Sequence, residues 1–140
     1  MKSFYLYNNR VEIVKNDGSI FTIYFNENSG KVYFRYKIGT FSNVKHSGIF
    51  LGVDTWGIGY FLHNHYHFGK AQITTETEFK KGQPIYIYNE MCSNAPLKVI
   101  EVGLNEILKG ESYKLITYNC QTYTNTACHN QRKSYDAEKW

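Results

Sequence analysis

Short runs of β-branched and aromatic residues, separated by turns that contain glycine, dominate the first two thirds of the chain. In the amino-terminal third, Asp17-Gly18 and Ser29-Gly30 lie between such runs. Glycine adopts positive φ without a Cβ clash, so these pairs are typical of hairpin turns between antiparallel strands. The pattern predicts a small antiparallel meander, with strands around 11–13, over 20–25 and over 32–38.

A second strand-rich block follows the meander. Its predicted strands cover 47–53, 59–63, 71–74 and 84–88, and glycines punctuate it as well. Between the first two of these strands, residues 54–58 are expected to lengthen a hairpin turn. No linker separates the two blocks, so we expect all of these strands to belong to one sheet system.

Two later segments have the apolar spacing of helices. Over 97–110, apolar residues follow the spacing of one helical face, with Pro96 before the segment and Gly110 at its end. The second segment runs from Asn119, in the N-cap position, to about Arg132. We therefore predict an α+β fold, in which an antiparallel sheet or small barrel packs with about two helices.

Composition limits the number of domains and the class of protein. With 140 residues, of which 42% are hydrophobic, the chain can bury one full core but is too short for two comfortable domains. We predict a single domain over 1–140, with the strand meander over 1–44 and the core that carries the chemistry over 45–133. The net charge is +4, but the basic residues are scattered, so no nucleic-acid partner is expected.

The chain shows no targeting signal and an odd number of cysteines. Its beginning has no apolar run after a basic start, and no eighteen consecutive residues are apolar, so neither a signal peptide nor a membrane span is predicted. We expect a cytoplasmic protein, or one secreted by a route that leaves no amino-terminal mark. Thiols in such a chain normally stay reduced, and at least one of Cys92, Cys120 and Cys128 must be free.

Cys120 is the cysteine best placed for chemistry. It follows Asn119 and is predicted in the first turn of the last helix, where unpaired backbone N–H groups and the helix dipole stabilise a thiolate. Cys128 falls on about the same helical face and is expected in the core. Cys92 is expected in a partly exposed loop, and without a CxxC pair neither residue indicates redox chemistry.

Two histidines are placed to act on that thiol. His46 immediately precedes a predicted strand and is followed by the small residues Ser47 and Gly48, so its imidazole can approach a helix terminus and take a thiol proton. The next predicted strand ends at His63. If the two strands pair antiparallel, His63 returns to the edge at which His46 begins and can orient its ring.

These segments, HSGIFLG with YFLH and YNCQTYTNTAC, resemble the lecithin retinol acyltransferase-like family. That family is the circularly permuted branch of the papain-like superfamily, related to bacterial cell-wall cysteine peptidases and picornaviral H-box/NC proteins. Its motifs match His46, His63 and Asn119-Cys120, within a resemblance that spans about 45–130. The resemblance implies a permuted papain-like fold, in which Cys120 is the nucleophile, His46 the general base and His63 the orienting residue.

The sequence leaves alternatives open for the third residue. His65 and His67 would share a face with His63 in an extended strand, so His65 is the second candidate for the orienting role and His67 the third. Alternate strand residues stand too far apart for three imidazoles to surround one zinc ion, so neither a metal nor another cofactor is expected. Trp56, in the lengthened turn, and Tyr123, after the nucleophile, are the candidate substrate-binding residues.

Two hypotheses follow from these residues. The first is a cysteine-dependent hydrolase or acyltransferase that acts on an amide or ester bond through a thioester intermediate. Its substrate would be a small-molecule, lipid or peptide acyl compound, and its oxyanion donors are expected among the backbone N–H groups at the start of the Cys120 helix. The second is a binding or regulatory module that retains the fold without catalysis.

Overall fold

The computed structural model of the chain describes residues 1–37 and 44–132. These residues form an α+β structure, as predicted from the sequence. The strands are β1 (Ser3–Leu6), β2 (Arg10–Val14), β3 (Ile20–Tyr24), β4 (Val32–Tyr36), β5 (Lys45–Val53), β6 (Gly59–His65), β7 (Lys70–Thr75) and β8 (Tyr86–Ile87). The helices are α1 (Glu76–Lys80), α2 (Pro96–Lys109) and α3 (Cys120–His129).

The strands form one open antiparallel sheet with β5 at its centre. Its main order is β1-β2-β3-β5-β4-β8, and β6 and β7 continue from the other edge of β5. The predicted amino-terminal meander is therefore correct for β2 and β3 but wrong for β4. Because β3 meets β5 only at Tyr24↔Val53, the rest of that edge is left for β4 to pair with β5 from Val32↔Ile49 to Tyr36↔Lys45. The predicted end of this strand, Ile38, lies outside the described residues.

The side chains of β5 alternate between two core layers. Ile49 and Leu51 belong to the larger core, which also contains the buried faces of α2 and α3. Phe50 packs with Phe61 and Phe79 in a smaller aromatic core on the α1 side of the sheet. This alternation decides which helix each polar residue of β5 faces.

The two predicted helices are present, and one short helix was not predicted. α2 begins with Pro96 and ends at Gly110, whose φ of 67° is the left-handed conformation that glycine favours. α3 begins after its N-cap Asn119 but ends at His129, earlier than predicted, because Asn130 turns into the left-handed region. α1 has only five residues, too few to show a helical period. None of the described helices is both long and apolar enough to cross a membrane.

Cys92 and Cys128 form a disulfide, which corrects the expectation that the thiols stay reduced. The physical reason is that the segment before α2 docks on the end of α3. Asn94 donates its backbone N–H to the Cys128 carbonyl at 3.0 Å and its side-chain Nδ2–H to the Ala127 carbonyl at 2.8 Å, which brings Cys92 beside Cys128. Cys120 is the cysteine that is not part of a disulfide, consistent with the odd number of cysteines.

Candidate active site

The β5–β6 hairpin opens at the end that carries the candidate histidines. From the turn, the two strands pair antiparallel as far as Ile49↔Leu62. Beyond that pair, the remaining residues of β6 pair with β7 and not with β5. The predicted hairpin thus brings His63 back towards His46, but residues 45–48 of β5 do not pair with residues 63–65 of β6. We call this unpaired stretch the strand opening.

The amino terminus of α3 covers the strand opening on one side of the sheet. Asn64 of β6 donates from Nδ2 to the Tyr118 carbonyl at 3.1 Å, just before the helix begins. Ser47 of β5 donates from Oγ to the Cys120 carbonyl at 3.3 Å and lies 3.0 Å from the Thr124 hydroxyl. These buried contacts hold the start of α3 against both strands of the opening.

The candidate histidines lie on the other side of the sheet, against α1. The ring centroids of His46 and His63 are 5.5 Å and 5.2 Å from that of Phe79. Glycine is required at position 48, because a Cβ there would come within 2.6 Å of the Phe79 ring and 3.2 Å of the His63 Cβ. The predicted nucleophile and the predicted base are therefore carried on opposite sides of the sheet, next to the same opening.

His46 and His63 belong to a buried chain of hydrogen bonds. His46 Nε2 lies 2.8 Å from His63 Nδ1, and His63 Nε2 lies 2.7 Å from Thr74 Oγ1. The Thr74 hydroxyl in turn donates to the Thr75 carbonyl at 3.2 Å. All three side chains are buried.

The carbonyl at the end of this chain determines which ring nitrogens carry protons. A carbonyl only accepts, so the Thr74 hydroxyl proton is directed at Thr75 and its oxygen accepts the His63 Nε2–H. The Nδ1 of neutral His63 is then an acceptor, so His46 Nε2–H donates to it. His46 is thereby held in the tautomer whose Nδ1 is unprotonated, as a general base needs.

Burial keeps the imidazoles of this cluster neutral. Burial, followed by the charge of His63 and then that of Arg35, lowers the pKa of His46 well below its usual value. Burial, followed by the charges of His65 and Arg35, lowers the pKa of His63 to about 3. Desolvation disfavours the charged form of a base, so the proton assignment above applies at neutral pH.

The neutral imidazoles predict that the fold loses stability in acid. The unfolded state binds a proton on His63 below its usual pKa of 6.5, whereas the folded state does not until pH reaches about 3. The free energy of unfolding therefore falls as pH decreases between these values, by about 2 kcal/mol for this group between pH 6.5 and 5. Urea unfolding at both pH values measures the loss. A His63→Gln variant with the same pH dependence as the parent protein would contradict the assignment.

Cys120 begins α3 and lies beside the backbone that carries His46. Its Sγ is 3.9 Å from the carbonyl oxygen of Lys45, the residue before His46. The side chain is only 3% exposed, and the helix start places its sulfur at the positive end of the α3 dipole. The predicted nucleophile and the predicted base thus belong to the same opening.

The backbone amides that follow Cys120 are already used by the helix cap. Asn119 Oδ1 accepts from the N–H groups of both Gln121 and Thr122 at 3.0 Å. The Thr122 hydroxyl completes the capping box by accepting the Asn119 N–H at 2.7 Å. These two amides are therefore not available as the oxyanion donors that the sequence suggested.

The other histidines of the cluster have different surroundings from His63. The His65 ring centroid is 4.6 Å from that of His46, but its Nδ1 accepts the His67 backbone N–H at 3.2 Å. His67 follows the end of β6 and is exposed. His63 is thus the histidine that contacts His46 through a hydrogen bond. Among residues 1–37 and 44–132, no group of three or more His, Cys, Asp or Glu side chains is arranged to hold a metal ion.

The two candidate substrate-binding residues have contrasting surroundings. Trp56 is 80% exposed in the β5–β6 turn, about 20 Å along the strand from His46. Tyr123 is fully buried, and its hydroxyl donates to the Gly103 carbonyl of α2 at 2.8 Å. The Asp54 carboxylate accepts the backbone N–H groups of Trp56 and Ile58 and so closes the turn, from which the Trp56 side chain faces solvent. Tyr123 is a core residue that joins α3 to α2.

Three residues of the site were not found from the sequence. Thr74 ends the hydrogen-bond chain, Asn64 holds the segment before Cys120, and Arg35 is buried opposite His46 in the β4–β5 ladder. Asn64 directly follows His63, so its nearness to the motif was an available signal. Thr74 and Arg35 carried no local signal, since strand pairing alone brings them here.

The residues that carry the family resemblance lie near one another in the structure. The Asn119-Cys120 pair starts α3, and His46 and His63 are within hydrogen-bond distance near the ends of neighbouring strands. Membership of the lecithin retinol acyltransferase-like family stays a prediction, because no protein-family model, no curated protein and no solved structure matches the chain.

Proposed function

We propose that this protein is a cysteine-dependent hydrolase or acyltransferase that acts on an amide or ester bond. Cys120 is the nucleophile, His46 the general base, and His63 the residue that positions it. One observation carries this proposal: a buried chain of hydrogen bonds joins His46 Nε2 through His63 and Thr74 to the Thr75 carbonyl, next to the backbone that the Cys120 sulfur contacts. This chain favours the His46 tautomer in which Nδ1 is unprotonated.

The reaction begins with a movement of the thiol towards His46. Cys120 Sγ, which lies 3.9 Å from the Lys45 carbonyl oxygen, has to come within hydrogen-bond distance of His46 Nδ1. Catalytic hydrogen bonds are often long in enzymes without substrate and shorten when substrate binds. His46 Nδ1 takes the thiol proton as the sulfur attacks the substrate carbonyl carbon, and the carbonyl electron pair moves to oxygen.

The remaining steps return the enzyme to its starting state. As the tetrahedral intermediate collapses, the bond to the leaving alcohol or amine breaks and His46 Nδ1–H protonates that group, which leaves a thioester on Cys120. An acceptor then attacks the thioester while His46 takes its proton, and the thiol recovers that proton. Water as acceptor makes the protein a hydrolase, and an alcohol or amine makes it an acyltransferase. The acyl donor is a small molecule, lipid or peptide.

A small activated ester tests this proposal directly. Incubation with p-nitrophenyl acetate should release p-nitrophenolate in a burst and place an acetyl group on Cys120, seen by peptide mass spectrometry without reduction. Because the other two cysteines form a disulfide, Cys120 is the thiol available for acylation. Cys120→Ala should lose both the burst and the adduct, whereas a variant of exposed His67, His67→Gln, should keep them. Equal burst and turnover in Cys120→Ala would refute the proposal.

The non-catalytic module remains the second candidate, because one observation favours it. Cys120 is only 3% exposed, so substrate must reach a sulfur that is nearly covered. Alkylation by iodoacetamide near pH 6 separates the two candidates, since an enzyme should label Cys120 faster than a free thiol. Labelling no faster than that of a free thiol, with no acetyl adduct, would assign the binding module.

A further inference from the structure

β7 is an edge strand whose outer side is left unpaired. Its inner side pairs with β6 in a continuous register. On the outer side, the Gly69 carbonyl accepts the Tyr113 N–H at 2.7 Å, just before the strand begins. Backbone groups alternate in direction along an antiparallel strand, so Ala71 and Ile73 also point outwards. Among the described residues no strand pairs with these two, and such an edge is a template for another strand.

A cleft of about 740 Å³ lies along this edge, and we call it the edge cleft. It is lined from β7 by Ala71 and Ile73, from β2 and β3 by Ile13 and Phe21, and from the end of α2 by Leu108. Leu108 is apolar and yet 39% exposed. A volume of this size is typical of ligand-binding clefts. The edge cleft therefore offers an occupant both backbone hydrogen-bonding groups and apolar side chains.

The charged side chains that line the edge cleft are two lysines. Lys15 and Lys70 lie on opposite walls, and among the described residues no carboxylate lines the cleft. Within residues 1–37 and 44–132, neither lysine forms an ion pair. The Lys15 ammonium lies over the Phe21 ring at 5.2 Å, which places its charge at the wall of the cleft. These charges favour an anionic occupant, whereas the same edge of a second copy would be repelled.

We propose that the edge cleft binds an extended acidic peptide, which adds a strand to β7. The peptide exchanges main-chain hydrogen bonds with Ala71 and Ile73. Directly opposed residues of an antiparallel pair lie on the same face of the sheet, so the peptide residues bonded to Ile73 direct their side chains into the cleft and are apolar. Acidic residues before and after them are attracted by the two lysines. The site uses neither Cys120 nor His46, so it does not depend on the proposed reaction.

Two N-methylated forms of one peptide test for the added strand. The probe is a fluorescein-labelled pentapeptide of alternating glutamate and valine, and fluorescence anisotropy measures its binding to the full chain. N-methylation of the valines removes the N–H groups that face Ala71 and Ile73, so the affinity should fall about tenfold or more. N-methylation of an equal number of glutamates leaves those bonds in place, so the affinity should change little.

Charge variants test whether the peptide lies in the edge cleft. The double variant Lys15→Glu/Lys70→Glu reverses both attractions and should weaken binding about tenfold. Lys98→Glu is the matched control, because this lysine lies on α2 beside Glu101 and does not line the cleft, and it should leave the affinity unchanged.

Several results would overturn the inference. These are no binding of the probe, equal affinities of the two methylated peptides, and an unchanged affinity in the double variant. Displacement of the probe by decanoate, with no effect of methylation, would assign the cleft to a small amphipathic anion instead. A dimer in sedimentation experiments that excludes the probe would assign the edge to a second copy of the chain, and would overturn the peptide as occupant as well.

Discussion

Replacement of His46 with glutamine is expected to lower the rate of Cys120 acylation by p-nitrophenyl acetate about a thousandfold. General base catalysis by a positioned side chain contributes about 10²–10⁴ in rate. Glutamine can still occupy a buried polar site near His63, but it cannot take the thiol proton. Stopped-flow measurement of the p-nitrophenolate burst gives the rate, with alkylation at high pH as a check that the thiol is intact.

Matched variants of Thr74 test the proton assignment behind this effect. Thr74→Ser keeps the hydroxyl that accepts from His63 Nε2 and donates to the Thr75 carbonyl, so acylation should stay near the parent rate. Thr74→Val removes both bonds and leaves a buried His63 N–H without its acceptor. The orientation and tautomer of His46 are then no longer held, and the rate should fall. Equal rates in the serine and valine variants would contradict the proton chain.

Removal of the Cys92–Cys128 disulfide is expected to cost about 4 kcal/mol of unfolding free energy. The two residues are 36 positions apart, and closing a loop of that length in the unfolded state accounts for about this amount in the chain-entropy model. The double variant Cys92→Ser/Cys128→Ser avoids a lone thiol and leaves Cys120 in place. Urea unfolding of the variant and of the oxidised parent protein, compared at one pH, measures the difference.

A reduced parent protein provides the control for that comparison. If the stabilisation comes from the cross-link, reduction should lower the unfolding midpoint of the parent protein to nearly that of the double variant. The double variant itself should not respond to reductant. Midpoints that are equal in the oxidised parent protein and in the variant would contradict a stabilising cross-link. They would leave the docking of Asn94 on α3 as the main attachment of this segment.

Local sequence patterns were sufficient to predict the helices and strands whose apolar residues repeat regularly or whose ends are marked by a turn or capping residue. The hairpin of β5 and β6 and the α2 helix could be predicted because glycine turns, alternation and a terminal Gly110 are properties of neighbouring residues. The placement of β4 beside β5 could not be predicted, because it depends on how much of the β5 edge β3 leaves unpaired. β1 has four residues and α1 five, so neither is long enough to display its period.

The candidate site shows the same division between local and long-range information. Cys120, His46 and His63 could be selected because each marks the start or end of an element, where side chains from different elements converge. Arg35 reaches the site only through its pairing with His46 across two strands, and Thr74 only through β6 and β7. The disulfide was missed for a similar reason, because the spacing of cysteines along the chain does not determine which sulfurs meet.

The arrangement of sulfur and imidazole on the two sides of one sheet has a consequence for how the proposed activity would be lost. The strands alone bring the basic nitrogen into place, whereas the sulfur arrives only with the helix that Ser47 and Asn64 hold. A slight lifting of that helix would separate the reacting atoms while every strand stays paired. The proposed activity therefore depends on docking between layers, and we expect it to be lost before any secondary structure melts.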